Sequence, residues 1–513
     1  MKLSELLHGI KVKQTIPELN ITGISTDSDK VKNGHLFICI KGNRYDGHSF
    51  AETALENGAE LVLCERMPEV RDSSRVIITE STRKAASIAW YNYYSRPADE
   101  MTKIAITGTS GKTSVAFLLK ELLSAYGRRV GAVTTIRTTS MDRVIELGDN
   151  GGSSVTEVSG AMTTPDPEYL WYAVSEMKKD GCDTVIYEAS SQAIVRETLS
   201  AVTPELCVFT NLSEEHMDAH GSMENYFAAK ARLLEGVKNA VVNIDDEYFS
   251  RLPDMFSDCR FIKISTKREN IGKCDVCAIR YRSHGVSGIE YVYFSNDAVF
   301  DVKSSQIGSY SVYNTMESAA AAMFLGVPPD VVQNVIRNFG GADGRMHRVK
   351  IQNDTAPCVF IDYAHTPLAL EAACNALCDI INTEKTDRKR RLITVFGCGG
   401  DRDRTKRSHM AQAVQKYSDM TVITNDNPRN EAPEGIINDI ICGIDKTKPY
   451  KVIEDRKAAI RFALEYASSD DIVLLAGKGH EKYEITGRVK TPFDEELTVK
   501  EILDGSNGNY KRE

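Results

Sequence analysis

The sequence predicts an α/β protein of three domains built on mostly parallel sheets. Three observations carry that prediction. The chain has 513 residues, more than one hydrophobic core accommodates, which divides it into about three domains. Short apolar runs alternate with helical patterns along most of it. The runs end in polar residues, as expected where ligands gather at the C-terminal ends of parallel strands.

Within the first hundred residues, "HLFICI", "AELVLC" and "RVIITE" read as buried strands. "ALENGA" and "STRKAASIAWYNYYS" read as helices between and after them. "RPADEM" is a polar, proline-bearing break near residues 96 to 101. A second alternating stretch opens with "TKIAITG" and continues through "RRVGAVTT", "CDTVIYEAS", "ELCVFTNLS" and "NAVVNID". A third follows "GGADGRMHR", with strands "CVFIDYA", "RLITVFG", "MTVITND" and "DIVLLAG". The polar, glycine-rich "DRVIELGDNGGSSVTEVSG" reads as an exposed loop. The strand ends "YEASS", "TNLSEEH", "DYAHTP", "GCGGDRD", "TNDNPR" and "AGKGHE" are the candidate sites of chemistry.

Composition narrows the function classes. A formal net charge of -9 argues against broad nucleic-acid or membrane binding. No apolar run approaches the roughly 20 residues that span a bilayer. "MKLSELLHGIKVKQ" lacks the apolar segment of a signal peptide. The 12 cysteines show no framework spacing, and "CDVC" (Cys274, Cys277) has no second such pair to complete a zinc site. Free thiols in a reducing cytoplasm are expected.

The stretch "AITGTSGKTS", residues 105 to 114, follows a strand and precedes the helical pattern "SVAFLLKELLSAYG". A glycine turn in that position exposes backbone N–H groups to phosphate oxygens, and the helix N-terminus adds partial positive charge. Gly108, Thr109, Ser110, Gly111, Lys112, Thr113 and Ser114 are therefore candidate nucleotide ligands. Lys112 would reach the β- and γ-phosphates and Thr113 would hold Mg²⁺. The strict pattern needs a glycine where Ile106 stands, so this is a shortened variant. The central domain is expected to be of P-loop ATPase type. Mg²⁺ requires hard oxygen ligands. Glu188 ends one strand and His216 follows another, and each suits a solvated loop equally well. Lys230, on a helix in "ENYFAAKARLL", reads on its own as a surface charge.

Taken in order, "STDSDKVKNGHLFICIKGNRYDGHSF", "TGTSGKTS", "TTPD", "EASS", "TNLSEEHMDAHGSMENYFAAK", "YSVYNTMESAAAA", "GRMHRV", "DYAHTP", "GCGGDRDRTKR", "DNPRNEAP" and "AGKGHE" resemble the Mur ligase family from about residue 20 to residue 500. The resemblance implies an ATP-dependent amide ligase of peptidoglycan synthesis. ATP phosphorylates the carboxylate of a UDP-linked peptide, and an incoming amine attacks the acyl phosphate. It implies Glu188, His216 and Lys230 as magnesium ligands beside Thr113, with Lys230 carrying a CO₂-derived carbamate, and Lys112, Lys230 and His216 as catalytic residues. Asn314 resembles the adenine-side asparagine. Arg345, Asp362 and His365 would close over the nucleotide and exclude water from the acyl phosphate. Ser28, Thr163, Thr164, Ser190 and Arg196 match positions on the UDP-sugar side.

The amino-acid side has a sharper mark. An arginine in "DNPR" resembles family members that add meso-diaminopimelate rather than lysine. Arg429 offers a planar fork for the distal carboxylate that lysine lacks. Asp426, Asn427 and Pro428 adjoin it, Arg402 would bind a carboxylate too, and Gly477 and Glu481 would take the distal ammonium. Gln192, Thr198, Asp29 and His347 depart from the family pattern at histidine, arginine, arginine and glutamate positions. All but His347 lie in or near the nucleotide-sugar side, where they bear on the donor. The expected domains are 1–98 for the UDP sugar, 99–342 for ATP and metal, and a Rossmann-like 343–513 for the amino acid. Partners are small molecules, with no nucleic acid or membrane, and the chain is expected to be a monomer. Two other readings are a Mur-type or folylpolyglutamate synthetase-like ligase with another amino acid or donor, and a nucleotide switch without ligation.

Overall fold

In the computed structural model the chain forms two compact units, Met1–Cys277 with Met316–Val332, and Ala278–Thr315 with Gln333–Glu513. The structure describes residues 1–42, 45–145, 163–215, 217–351, 353, 355–383, 390–487 and 489–505.

The first unit holds two sheets. The smaller is fully parallel, in the order Gly23–Ser25, His35–Ile38, Ala59–Cys64, Val76–Ile78. Helix Thr82–Tyr93 follows it, capped where the Ser81 side chain accepts from Lys84 N. The larger sheet runs Arg260–Ser265, Asn239–Asn243, Leu206–Phe209, Thr102–Thr107, Thr184–Glu188, Val130–Val133 in parallel. Thr138–Ser140 and Arg143–Val144 add antiparallel edges. The central strands are buried along almost their whole length because both faces are covered; Ile104, Ala105, Ile106, Val208 and Phe209 are fully buried. Helix Lys112–Ala125 buries Val115, Leu118, Leu119, Leu122 and Leu123, one stripe at helical spacing.

The second unit has a six-stranded sheet in the order His347–Arg348, Cys358–Asp362, Ile472–Ala476, Leu392–Phe396, Met420–Ile423, Tyr450–Val452. Only the first pairing is antiparallel. Separate apolar clusters cover its two faces, one around Leu370, Phe396 and Leu474, the other around Val359, Val395 and Leu475. Alternate residues of each strand feed alternate faces.

Several boundaries differ from the sequence reading. "ALENGA" is not one helix: the helix is Ala51–Glu56, and Ala59 already begins a strand. The loop expected at residue 142 begins with the paired strand Arg143–Val144, anchored by buried Ile145; residues 146–160 of that stretch lie outside the described residues. An antiparallel hairpin, Ile289–Ser295 with Val299–Ser304, was not expected. Among the described residues no helix is long and apolar enough to cross a membrane.

Candidate active site

The central strand Thr102–Thr107 of the larger sheet runs into residues 108–111, and Gly111 caps the helix Lys112–Ala125. Gly111 has φ +87°, a left-handed conformation that costs an L side chain energy and glycine none. The neighbouring loop fixes this turn. Thr109 N donates to Asn211 O at 2.8 Å, Ser110 N to Asn211 Oδ1 at 3.1 Å, and Thr210 Oγ1 to Ser110 O at 2.7 Å. Thr113 is buried in the first helical turn and Ser114 follows it, half-buried.

Two lysines converge on this loop. Lys112 Nζ donates to Gly108 O at 3.0 Å and Thr109 O at 2.7 Å. Lys230 Nζ donates to Gly108 O at 2.9 Å. Lys230 is 1% exposed, so the surface-charge reading of its lone residue is corrected: helix Met223–Ala231 turns it inward, across the ring of Tyr226 at 4.7 Å. Burial, then the nearby Lys112 ammonium, holds its amine well below the usual lysine range, while Glu215 pulls it up. The neutral amine is thereby favoured.

Glu188 is fully buried at the end of the adjacent strand. Its carboxylate accepts from Thr135 N at 3.0 Å and Thr135 Oγ1 at 2.8 Å. Thr164 Oγ1 donates to Glu188 O at 2.7 Å and accepts from Ser190 N at 3.0 Å, fastening "TTPD" to "EASS". His216 lies outside the described residues. Among the described residues no cluster of three His, Cys, Asp or Glu suits a metal. The oxygen set at hand is Thr113, Glu188 and, were it carboxylated, Lys230, which fits a hard cation.

A cavity of about 210 Å³ joins Gly108, Lys112 and Lys230 to Thr163, Thr164, Ser190 and Arg196. Gln192 and Thr198 line it as well. A second cavity, about 920 Å³, reaches Ser28 and Asp29 and shares Asp166, Arg196 and Thr198 with the first. The first unit therefore brings together the residues expected for the phosphates and for the UDP-linked donor.

The second unit gathers the others. Asp362 ends its strand and accepts from Met346 N at 2.7 Å and Ala364 N at 2.8 Å. Burial lifts its carboxyl above the usual range, against the pull of Arg345. Arg345 lies over the Tyr363 ring at 5.0 Å, and His365 packs against the same ring at 4.6 Å. Burial lowers the His365 pKa. Asn314 stands on helix Tyr310–Phe324. Asn427 is almost fully buried and is a junction: its Nδ2 donates to Glu481 Oε2 at 2.7 Å, while its Oδ1 accepts from Lys478 Nζ and Ile485 N, each at 3.0 Å. Burial, reinforced by Asp426, raises the Glu481 pKa. Pro428 is buried in the turn before Arg429. Arg429, at φ +52°, donates from NH1 to Gly400 O at 2.9 Å. Arg402 is exposed and donates to Asp401 O at 3.4 Å. His347, where the family pattern has glutamate, meets Glu496 at 3.1 Å.

Three loops of this unit interlock. A Cβ added at Gly344 would fall inside the backbone of Gly479 and His480, and one at Gly479 would lie 2.6 Å from Tyr363 Cβ. Gly477 N donates to Asp362 O at 3.0 Å, and a Cβ on Gly477 would stand 2.7 Å from Asp426 Oδ2. "GRMHR", "DYAHTP" and "AGKGHE" are thus one contact surface.

Sequence reasoning passed over Asp166, Tyr226, Lys478, Arg407 and Arg456. The first four carried a signal. Asp166 closes "TTPD", Tyr226 stands four before Lys230 on one helical face, Lys478 is inside "AGKGHE", and Arg407 ends "GCGGDRDRTKR", fully buried between Asp439 and the Glu431 of "DNPRNEAP". Arg456 is buried against Glu495, and a partner that distant in sequence leaves no local mark.

Comparison with known proteins agrees with this geometry. The Mur ligase family catalytic domain matches residues 20–95, the Mur ligase middle domain 106–322, and the Mur ligase glutamate ligase domain 344–479. The UDP-N-acetylmuramoyl-L-alanyl-D-glutamate–2,6-diaminopimelate ligase 1 of Clostridium acetobutylicum is 36% identical, covering 98% of this chain and 99% of its own. The similarly named ligase of Caldanaerobacter subterraneus subsp. tengcongensis is 38% identical over the same shares. A solved UDP-N-acetylmuramoyl-L-alanyl-D-glutamate–2,6-diaminopimelate ligase superposes with a TM-score of 0.69 at 30% identity, covering 99% of this chain and 100% of that one. With its nucleotide loop, its paired cavities and its interlocked strand ends matched along nearly its whole length, the chain belongs to the Mur ligase family.

Proposed function

We propose that this protein is the ATP-dependent ligase that adds meso-diaminopimelate to UDP-N-acetylmuramoyl-L-alanyl-D-glutamate, the reaction for which its relatives are named. One observation carries the reading: a single cavity places Lys112 and Lys230 against Thr163, Thr164, Ser190 and Arg196, so a transferring phosphoryl group and a donor carboxylate would meet there. A carboxylate is a poor electrophile, and phosphorylation gives it a leaving group. The loop amides and Lys112 would hold the phosphates, and their cationic field offsets charge that develops in transfer. Fixing both reactants in one small cavity replaces a bimolecular encounter with a positioned one.

Mg²⁺ would be held by Thr113, Glu188, His216 and the Lys230 carbamate, and when bound it neutralises phosphate charge. Lys230 suits carboxylation because burial favours its neutral amine, the form that attacks CO₂. In the second unit Arg429 would take the distal carboxylate of diaminopimelate, with Arg402, Asp426 and Asn427 beside it, and Glu481 and the Gly477 backbone the distal ammonium. Lysine would leave the half-buried Arg429 fork without its carboxylate partner, which disfavours it. We assign residues 1–98, 99–342 and 343–513 to donor, nucleotide and amino acid, and place the reaction in the cytoplasm, by a monomer.

The test is ATP-dependent phosphate release with the UDP-linked dipeptide, comparing meso-diaminopimelate with L-lysine. Release with diaminopimelate alone is expected. Equal release with lysine overturns the role of Arg429, and release with neither overturns the donor. For the carbamate, Lys230→Ala should be inactive and partly regain activity with added short carboxylic acids; full activity without them would rule it out.

A further inference from the structure

The described wall of the larger cavity carries four carboxylates, Asp27, Asp29, Asp166 and Glu168, against two cations, Arg83 and Arg196. Arg196 also lines the smaller cavity, so it stands at the passage between them. Arg83 lines the larger cavity alone. It is the second residue of helix Thr82–Tyr93, half-buried, with its guanidinium tethered to the Lys41 carbonyl oxygen. Both arginines pull the Asp166 carboxyl toward ionisation, against its burial. Asp166 therefore lies in the field of both, and Arg83 lines the cavity at its exposed rim, where its guanidinium meets the Lys41 carbonyl.

A nucleoside diphosphate brings negative charge into a wall whose described residues carry more carboxylates than cations. It must find a cation there, or bring one. Asp27 has a partner in Lys30, 3.6 Å away, whose field also reaches Glu168; the two arginines are the cations on the described wall itself. An arginine fork matches paired phosphate oxygens in shape as well as charge. We propose that Arg83 anchors the diphosphate of the donor in the larger cavity and thereby selects a nucleoside diphosphate over a monophosphate. This rests on the donor assignment above and adds to it a residue that determines specificity.

The alternative is a divalent cation bridging the carboxylates to the diphosphate, and the two are separable. Binding of UDP and of UMP to the full chain is measured by calorimetry without ATP, in EDTA and again in Mg²⁺, for the parent, Arg83→Gln and Arg83→Lys. In EDTA, Arg83→Gln should weaken UDP by roughly tenfold or more and UMP by much less, with Arg83→Lys intermediate. In steady state, KM for the UDP-linked dipeptide should rise by a similar factor with kcat retained, because Arg83 does not line the smaller cavity. Equal weakening of UDP and UMP would make Arg83 merely structural. UDP binding that needs Mg²⁺ and survives Arg83→Gln would assign the diphosphate to a metal. Either result overturns the proposal while leaving the donor assignment standing; a parent chain that binds neither nucleotide overturns both.

Discussion

The two units handle charge in opposite ways. Around the nucleotide loop of the first, Lys112 and Lys230 rest on the carbonyl oxygens of Gly108 and Thr109. A backbone carbonyl is a weak partner for an ammonium and yields to an anion. In the second, the structural cations away from the amino-acid site are held by carboxylates: Arg407 by Glu431 and Asp439, Arg456 by Glu495, Arg391 by Asp471. The first site is built to receive charge, the second to hold its shape while it recognises a molecule that carries both signs.

The comparison breaks most readily where a buried pair is opened. Arg456→Met leaves the Glu495 carboxyl, 2% exposed, without its partner, and should cost about 3–5 kcal/mol of stability in denaturant unfolding. A loss under about 1 kcal/mol would show that these pairs are not what holds the second unit. Lys112→Met should do the reverse. It should lower kcat for phosphate release by on the order of 10²–10³ with little change in unfolding midpoint; a large loss of stability would mean the lysine is a structural tie.

Arg429→Lys sharpens the contrast within the second unit. A point charge replaces a fork, and kcat/KM for diaminopimelate should fall by roughly 10- to 100-fold. Near-normal activity would sink the assigned role.

The smallest effect concerns an exception in the first unit. Glu317 is fully buried, and neither carboxyl oxygen has a hydrogen-bond partner among the described residues. Burial, with Asp246 adding to it, raises its pKa well above the usual range. A carboxyl raised in the folded state binds its proton more tightly there. Its contribution is present below the unfolded pKa of about 4.3 and is lost as pH rises toward the folded value. Glu317→Gln should therefore unfold at a higher temperature than the parent at pH 8, with the gap narrowing toward pH 5. A gap that does not change with pH would mean that the carboxyl is hydrated.

What was legible in the sequence follows from range. Strands such as "DTVIYEAS" and "DIVLLAG" are continuous apolar runs because they lie deep in parallel sheets, and their chemistry sits at the next few residues. The nucleotide loop is contiguous and reads directly. The hairpin Ile289–Ser295 with Val299–Ser304 did not read, because alternating charges such as Glu290, Asp301 and Lys303 mask its apolar face. Lys230 could not be placed inside by its own sequence neighbourhood, since the carbonyl it meets is 122 residues away. His347 and Glu496, 149 residues apart, pair for a reason that no local pattern carries.

The interlock of "GRMHR", "DYAHTP" and "AGKGHE" has a consequence for how such a chain can change over generations. At Gly344 the obstacle to any side chain is main chain, not another side chain. A second substitution elsewhere cannot make room, so no compensated path leads away from that glycine. Surface helices can drift freely around these loops while the loops keep their spelling, and an old kinship stays readable in a few short words.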